Sequence, residues 1–239
     1  MSEQAAAASA ERFQVPAPVW AELVAGPNGW VATDEAARCL RACGLAGADG
    51  GLTPAAAAVA DALPGAGRLI RLRLYQPGES RRVDLYTGGA QAVMVEFAGD
   101  LVSVSPVAPE LVPSWVSALL CLGPRGVPVW ESMVLHSPLM QALADEDAGQ
   151  VSASVRRLAS QPQTVAAMAE VAQAIQADQW RLGSLRTSKP AADDGQRLAF
   201  LDTTAGLVNL ECLENGMVRL NAARTYEIWN IIVPMITDR

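Results

Sequence analysis

Arg68-Leu-Ile-Arg-Leu-Arg-Leu-Tyr75 is where the period of the chain changes. Upstream, apolar residues recur every three to four positions. Here they alternate with basic ones, with Leu69 or Ile70, Leu72 and Leu74 to one side and Arg71, Arg73 and Tyr75 to the other. A period of two sends successive side chains to opposite faces of a strand, so the stretch predicts a strand with one wet face. Turn clusters at 77–80, 88–89 and 99–100 separate it from three more short apolar runs, at 83–87, 92–97 and 101–105. Connections this short join antiparallel neighbours, so the four strands form a meander. A helix is predicted over 108–122, with Leu111, Trp115, Leu119 and Leu122 at helical spacing.

Before this meander the signals are helical. An extended piece at 13–16 leads into a helix from Pro18 to the stop at Gly26. A second helix has Thr33 before it, Asp34 and Glu35 in its first turn and Gly44 at its end. Thr53-Pro54 opens a third, Ala-rich helix that stops at Pro64-Gly65. After it, 123–149 holds an apolar stretch at 127–135 and a helix at 138–144. Further helices are expected at 152–159 and 162–177, the latter with Val165, Met168, Val171, Ala172 and Ile175 on one face. The strand period then returns at 180–186, 198–202, 207–213 and 217–220, with a polar, mobile loop expected at 187–196. The last helix spans 225–236 and carries Ile228, Trp229, Ile232 and Met235, with Pro234 bending or ending it.

The two halves repeat one order of elements. Val93-Met-Val-Glu96 matches Val208-Asn-Leu-Glu211, Leu101-Val-Ser-Val104 matches Met217-Val-Arg-Leu220, and Trp115 answers Trp229. Duplication accounts for this order and predicts a quasi-twofold α/β fold of the α+β type, with two antiparallel sheet-plus-helix units and a helical middle region. The units run over 13–122 and 123–239 in one compact domain, behind a tail at 1–12 that reads as disordered. If helices cover one side of the sheet, the other side shows Arg71, Arg73, Tyr75, Met94, Glu96, Asn209, Glu211 and Arg219.

Composition narrows function by exclusion. The net charge is −7 and no basic cluster exceeds the pairs Arg81-Arg82 and Arg156-Arg157, so a nucleic-acid partner is not expected. No apolar stretch reaches the roughly 20 residues of a membrane span, and the N-terminus lacks the pattern of a secretory signal. Cys39, Cys43, Cys121 and Cys212 share no Cys-x-x-Cys spacing and lie far from the single His136, which argues for buried, reduced thiols and against a metal site. The glycine pairs lack a phosphate-binding pattern. Asp202 and Asp193-Asp194 read as turn caps and solvated loop, His136 belongs to a helix start, and most of the six tryptophans sit at core-facing positions. No cofactor and no catalytic set is therefore expected. Protein binding remains.

The stretch Gly44-Leu-Ala-Gly-Ala-Asp-Gly-Gly-Leu-Thr-Pro54, the Ala-rich helix after it and Arg68–Tyr75 resemble the EspG family of type VII (ESX) secretion chaperones of actinobacteria. Leu198-Ala-Phe-Leu-Asp202, with the two strands and last helix that follow, is similar to that family's closing unit. The resemblance implies a cytoplasmic chaperone that caps the hydrophobic tip of the PPE protein in a PE–PPE heterodimer and keeps it soluble before export. It also implies contacts from the central sheet and the helices between Ser152 and Ala177, so Arg156 and Arg157 join the sheet-face residues as expected partner contacts. A second reading from the residues is an adaptor or immunity-type protein that homodimerises through the same face. A third is a small-molecule enzyme using Asp202 and His136.

Overall fold

The computed structural model describes residues 12–25, 34–126, 129–189 and 195–237. Most of the tail at 1–12, Trp30 and the centre of the 187–196 loop lie outside the described residues. Strand β1 (Phe13–Pro16) leads into helices α1 (Ala17–Ala25), α2 (Asp34–Ala42) and α3 (Pro54–Ala62). The meander follows as β2 (Arg68–Gln76), β3 (Glu79–Thr87), β4 (Ala92–Ala98) and β5 (Leu101–Val107), then a 3-10 turn (Pro109–Leu111) and α4 (Val112–Leu120). Strand β6 (Met133–His136) opens the second half, before α5 (Leu139–Ala144), α6 (Ala148–Ala159), α7 (Pro162–Ala167) and α8 (Ala169–Gln176). The second meander is β7 (Trp180–Ser188), β8 (Arg197–Thr203), β9 (Gly206–Cys212) and β10 (Met217–Ala223), closed by α9 (Thr225–Thr237).

Local chemistry fixes many of these boundaries. The Thr53 hydroxyl accepts from the Ala56 amide and Pro54 occupies the first turn of α3, while Asp147 accepts from the Gln150 amide at 2.9 Å to cap α6. That bond holds the Asp147 carboxyl below its ordinary range. Gly78, at φ 77, supplies the left-handed residue of the tight β2–β3 connection. The helix expected over 162–177 is two helices. Met168 leaves helical geometry between α7 and α8, and its side chain turns into the core.

All ten strands form one antiparallel sheet in the order β1-β5-β4-β3-β2-β7-β8-β9-β10-β6. The order reads the same from either edge, with each half's four-strand meander inside and its isolated strand at the rim. At the centre β2 and β7 pair antiparallel, with Leu72 directly opposite Leu185 and both buried. The fold is therefore a mixed α+β architecture.

Helices cover both faces, which corrects the expectation of one wet face. On one face α4 and α9 pack over Ile70, Leu72, Val83, Leu85, Leu185 and Phe200. On the other, α1–α3 enclose Leu69, Tyr86, Val93 and Val95, and α5–α8 enclose Tyr75, Leu182, Leu201 and Leu210. Arg73 (6% exposed) and Tyr75 are thus buried under the helical layer. A period of two with basic residues on one side records only that those residues need carboxylate partners. For Arg73 they come from Asp84 on β3 and from Glu146 between α5 and α6.

The stripe expected for the last helix holds in α9, while that of α4 holds only in its second half. In α4 burial falls on Val112, Val116, Leu119 and Leu120, so Leu119 faces the core as its spacing predicts and Leu122 packs against it, whereas Leu111, in the 3-10 turn, and Trp115 point outward. In α9 the buried residues are Ile228, Ile232, Met235 and Ile236, each 116 residues after its α4 counterpart. That spacing pairs Trp115 (40% exposed) with Ile231 (39% exposed), not with Trp229, which packs against the core. The cysteines depart from expectation too. Cys39 is half-buried, and Cys43, Cys121 and Cys212 are exposed, at or beyond the ends of α2, α4 and β9.

Candidate functional site

The ten residues expected on one partner-binding face are divided between two sides of the sheet. Arg71, Arg73 and Tyr75 alternate with Leu72 and Leu74 and lie on the side that α1–α3 and α5–α8 cover. Met94 packs against the α4–α9 core, which places it, and Glu96 two residues on, on the opposite side. Asn209 and Glu211 follow core-facing Leu207 by even steps, and Arg219 precedes core-facing Ala223 by four, so these three share the side of Met94. Arg156 and Arg157 are exposed on α6, on the first side.

Each side has its own electrostatics. Beside α4 and α9, Glu96 accepts from Arg81 at 2.7 Å and Arg12 at 3.0 Å, and Arg219 pairs with its cross-strand neighbour Glu211 at 2.7 Å. These pairs are exposed or half-exposed and add little stability. Asn209 keeps its carbonyl oxygen buried without a hydrogen-bond partner. On α6, Arg156 reaches Asp178 at 3.0 Å, again in solvent.

Under the helical layer the charges are deeper. Arg73 donates to Asp84 at 2.8 Å and to Glu146 at 2.9 Å, and Arg82 donates to the other Asp84 oxygen at 3.0 Å while its guanidinium stacks on Phe97 at 4.0 Å. Arg73 and Asp84 are buried, whereas the Arg82 and Glu146 side chains stand about 40% exposed at the rim. Tyr75 lies within electrostatic reach of this group. Burial is the main cause that pushes its phenol pKa up, and its hydroxyl has no hydrogen-bond partner. Across the centre of the sheet, Arg71 faces Arg186 and Arg186 faces Arg197, a row of three arginines on adjacent strands. Arg71 and Arg186 hold partners of their own.

Two features escaped the sequence reading. Asp202, expected as a turn cap, is buried and accepts from Arg125 at 2.8 and 3.1 Å and from Arg181 at 2.7 Å. Its hydrogen bonds raise the Arg125 pKa, and the cluster ties the segment after α4 to the sheet beside a polar cavity of about 550 Å³. Spacing gave no hint of this, since Arg125 and Asp202 are 77 residues apart. The second feature is the outward side of the closing helices, where Leu111, Trp115, Ile231 and Val233 are exposed. Its signal was available: α4 carries no charged residue and α9 only Glu227.

The two residues of the enzyme reading, His136 and Asp202, are not brought together. His136 ends β6, far in the fold from the Asp202 cluster, and Ser137 beside it accepts from the Leu139 amide at the start of α5. Among the described residues no group of three or more His, Cys, Asp or Glu could hold a metal ion, and no helix is long and apolar enough to cross a membrane.

No protein-family model matches the chain, and no curated protein matches its sequence. In fold the chain is similar to the Mycobacterium tuberculosis type VII secretion system chaperone EspG5, solved in complex with a PE25–PPE41 dimer. The TM-score is 0.54 at 14% identity, over 95% of this chain and 96% of that one. The fold resemblance read from Gly44–Tyr75 and Leu198–Asp202 thus extends over nearly the whole of both chains.

Proposed function

We propose that the protein is a cytoplasmic chaperone of a type VII (ESX) secretion system that binds a PE–PPE heterodimer through the PPE protein and keeps it soluble for export. The observation that carries this reading is the fold likeness to EspG5, whose structure holds a PE25–PPE41 dimer, over 95% of this chain and 96% of that one. A chaperone of this kind needs surface and no chemistry, and the residues that would suit an enzyme are dispersed or engaged in ion pairs. The net charge of −7 helps such a protein remain soluble while it presents apolar surface.

Docking is assigned to the side of the sheet covered by α5–α8. There Arg71, Arg73 and Tyr75 lie beneath the helical layer and Arg156 and Arg157 beside it on α6. One partner tip cannot also reach Met94, Glu96, Asn209, Glu211 and Arg219 through the sheet. The quasi-twofold reading joins the same proposal. It is supported by the symmetric strand order and by the constant spacing of buried residues in α4 and α9. Register supports it as well: Val93 stands two strands from the centre, as Val208 does, and Val95 opposes Val104 as Leu210 opposes Leu220. On this view 13–122 and 123–239 are copies of one ancestral unit.

Co-expression with the PE–PPE pairs of the same genome tests the function. The tagged protein is expected to retain one pair through moderate salt and to move its PPE protein from the pellet into the soluble fraction. Failure to retain any pair refutes the reading.

A further inference from the structure

Glu146 occupies the short connection between α5 and α6 with φ 55, in the left-handed region that favours glycine. The conformation turns its carboxylate onto two arginines at once, Arg73 at 2.9 Å and Arg82 at 3.7 Å. The carboxylate and Arg82 are both about 40% exposed, so solvent and solutes reach this contact, whereas the Arg73–Asp84 pair beneath it is closed. Three polar atoms in the same group are buried with no hydrogen-bond partner: the Nε of Arg73, the Nε of Arg82 and the hydroxyl of Tyr75. Tyr75 is 97% buried and feels the charges of Arg73, Glu146 and Arg82. Unsatisfied buried donors beside an exposed ion pair describe a site whose present occupant fills it incompletely.

We infer that the Arg73–Arg82 rim is a carboxylate-binding site for an acidic segment of the bound protein, and that Glu146 is the internal carboxylate which holds the site until that segment replaces it. The inference rests on the protein-binding reading above and specifies its chemistry: the partner brings an Asp or Glu to this point. Asp84 keeps Arg73 oriented whichever carboxylate sits above. A residue held in a left-handed conformation returns readily to an open one once its contact is taken over. The exchange thus couples docking to movement of the α5–α6 connection.

The test uses the full chain and hexaglutamate as the probe, with hexalysine as control, read by fluorescence anisotropy at low salt. Glu146→Gln removes the competing charge and is expected to tighten hexaglutamate binding about tenfold over the unmodified protein, the size of one charge-assisted contact. Adding Arg82→Gln, at a half-exposed side chain, is expected to abolish the gain. An unchanged affinity in Glu146→Gln, or a gain that survives Arg82→Gln, overturns the inference. Should Glu146→Gln fail to fold, Glu146→Asp shortens the internal carboxylate by one methylene and is expected to give a smaller gain in the same direction; no gain overturns the inference equally. Retention of a PE–PPE pair without any hexaglutamate effect refutes the exchange alone. A tenfold gain without PE–PPE retention supports the exchange and refutes the chaperone reading alone.

Discussion

Gly183 and Phe200 face each other across β7 and β8, and the pair in the same place in the first half is Ile70 and Leu85 across β2 and β3. All four look into the core beneath α4 and α9, with Phe200, Ile70 and Leu85 fully buried. One half fills the position with two aliphatic side chains, the other with an aromatic ring laid over a glycine. A Cβ at Gly183 would collide with that ring, whose Cε1 atom lies 2.7 Å from where the Cβ would stand. Because backbone and ring are both enclosed, Gly183→Ala is expected to cost about 1–3 kcal/mol, the usual range for overpacking. Phe200→Leu alone removes part of the ring and opens a void, at about 1–2 kcal/mol. Combining Gly183→Ile with Phe200→Leu transplants the first half's solution, and the two changes should compensate. The cycle of the unmodified protein, Gly183→Ile, Phe200→Leu and the double variant should then show a favourable coupling of about 1 kcal/mol or more. Urea unfolding of the four proteins measures it, and a melting scan should show Gly183→Ala lowered by about 2–4 °C per kcal/mol at this chain length. Additivity within about 0.5 kcal/mol would refute the equivalence of the two pairs, and with it the duplication argument at its core.

Three further outcomes follow from the geometry. Asp202→Ala should cost about 2 kcal/mol, less than the ~3–5 of a fully enclosed pair because Arg125 and Arg181 retain solvent; thermal melting checks it. Burial beneath α1–α3 pushes the Tyr86 phenol up to about 12, from an ordinary value of 10. A raised pKa favours the neutral phenol in the folded state, so its contribution is intact below pH 10 and is lost as the pH rises from 10 through 12. At about 1.4 kcal/mol per unit, the loss is on the order of 3 kcal/mol, measurable as a falling urea midpoint with tyrosinate absorbance following. Trp115→Lys should leave stability within about 0.5 kcal/mol, whereas Val116→Lys, one residue on, should prevent folding; comparing the two by circular dichroism tests which side of α4 faces the core.

Periodicity made most of the elements legible. The alternation at Arg68–Tyr75, the turn clusters after it and the Thr53-Pro54 helix start each depend on local stereochemistry, which acts within a few residues. What lay beyond reach was set by tertiary contact. The arginines of β2 read as solvent-facing because alternation reports two sides and not what covers them. The carboxylate partners of Arg73, Asp84 and Glu146, are 11 and 73 residues away in the chain. The α4 stripe was misplaced at Leu111 and Trp115, because apolar residues stand on several sides of this segment and spacing alone does not choose among them. β6 was visible only as an apolar stretch, since a four-residue edge strand is decided by its pairing with β10. The candidate site suffered most, because alternation orders the side chains within one strand but not the phase of one strand against the next, and the sheet puts Arg71, Arg73 and Tyr75 on one side and Met94, Glu96, Asn209, Glu211 and Arg219 on the other.

Binding of a PE–PPE pair, as proposed, is tested most directly by the mass of the purified complex in solution. Co-expressed with a PE–PPE pair of the same genome and measured by light scattering after size exclusion, the protein is predicted to run as one chain bound to one heterodimer, with the PPE protein soluble only in its presence. A protein that elutes alone or as its own homodimer beside every such pair, with each PPE protein equally soluble without it, would contradict the account.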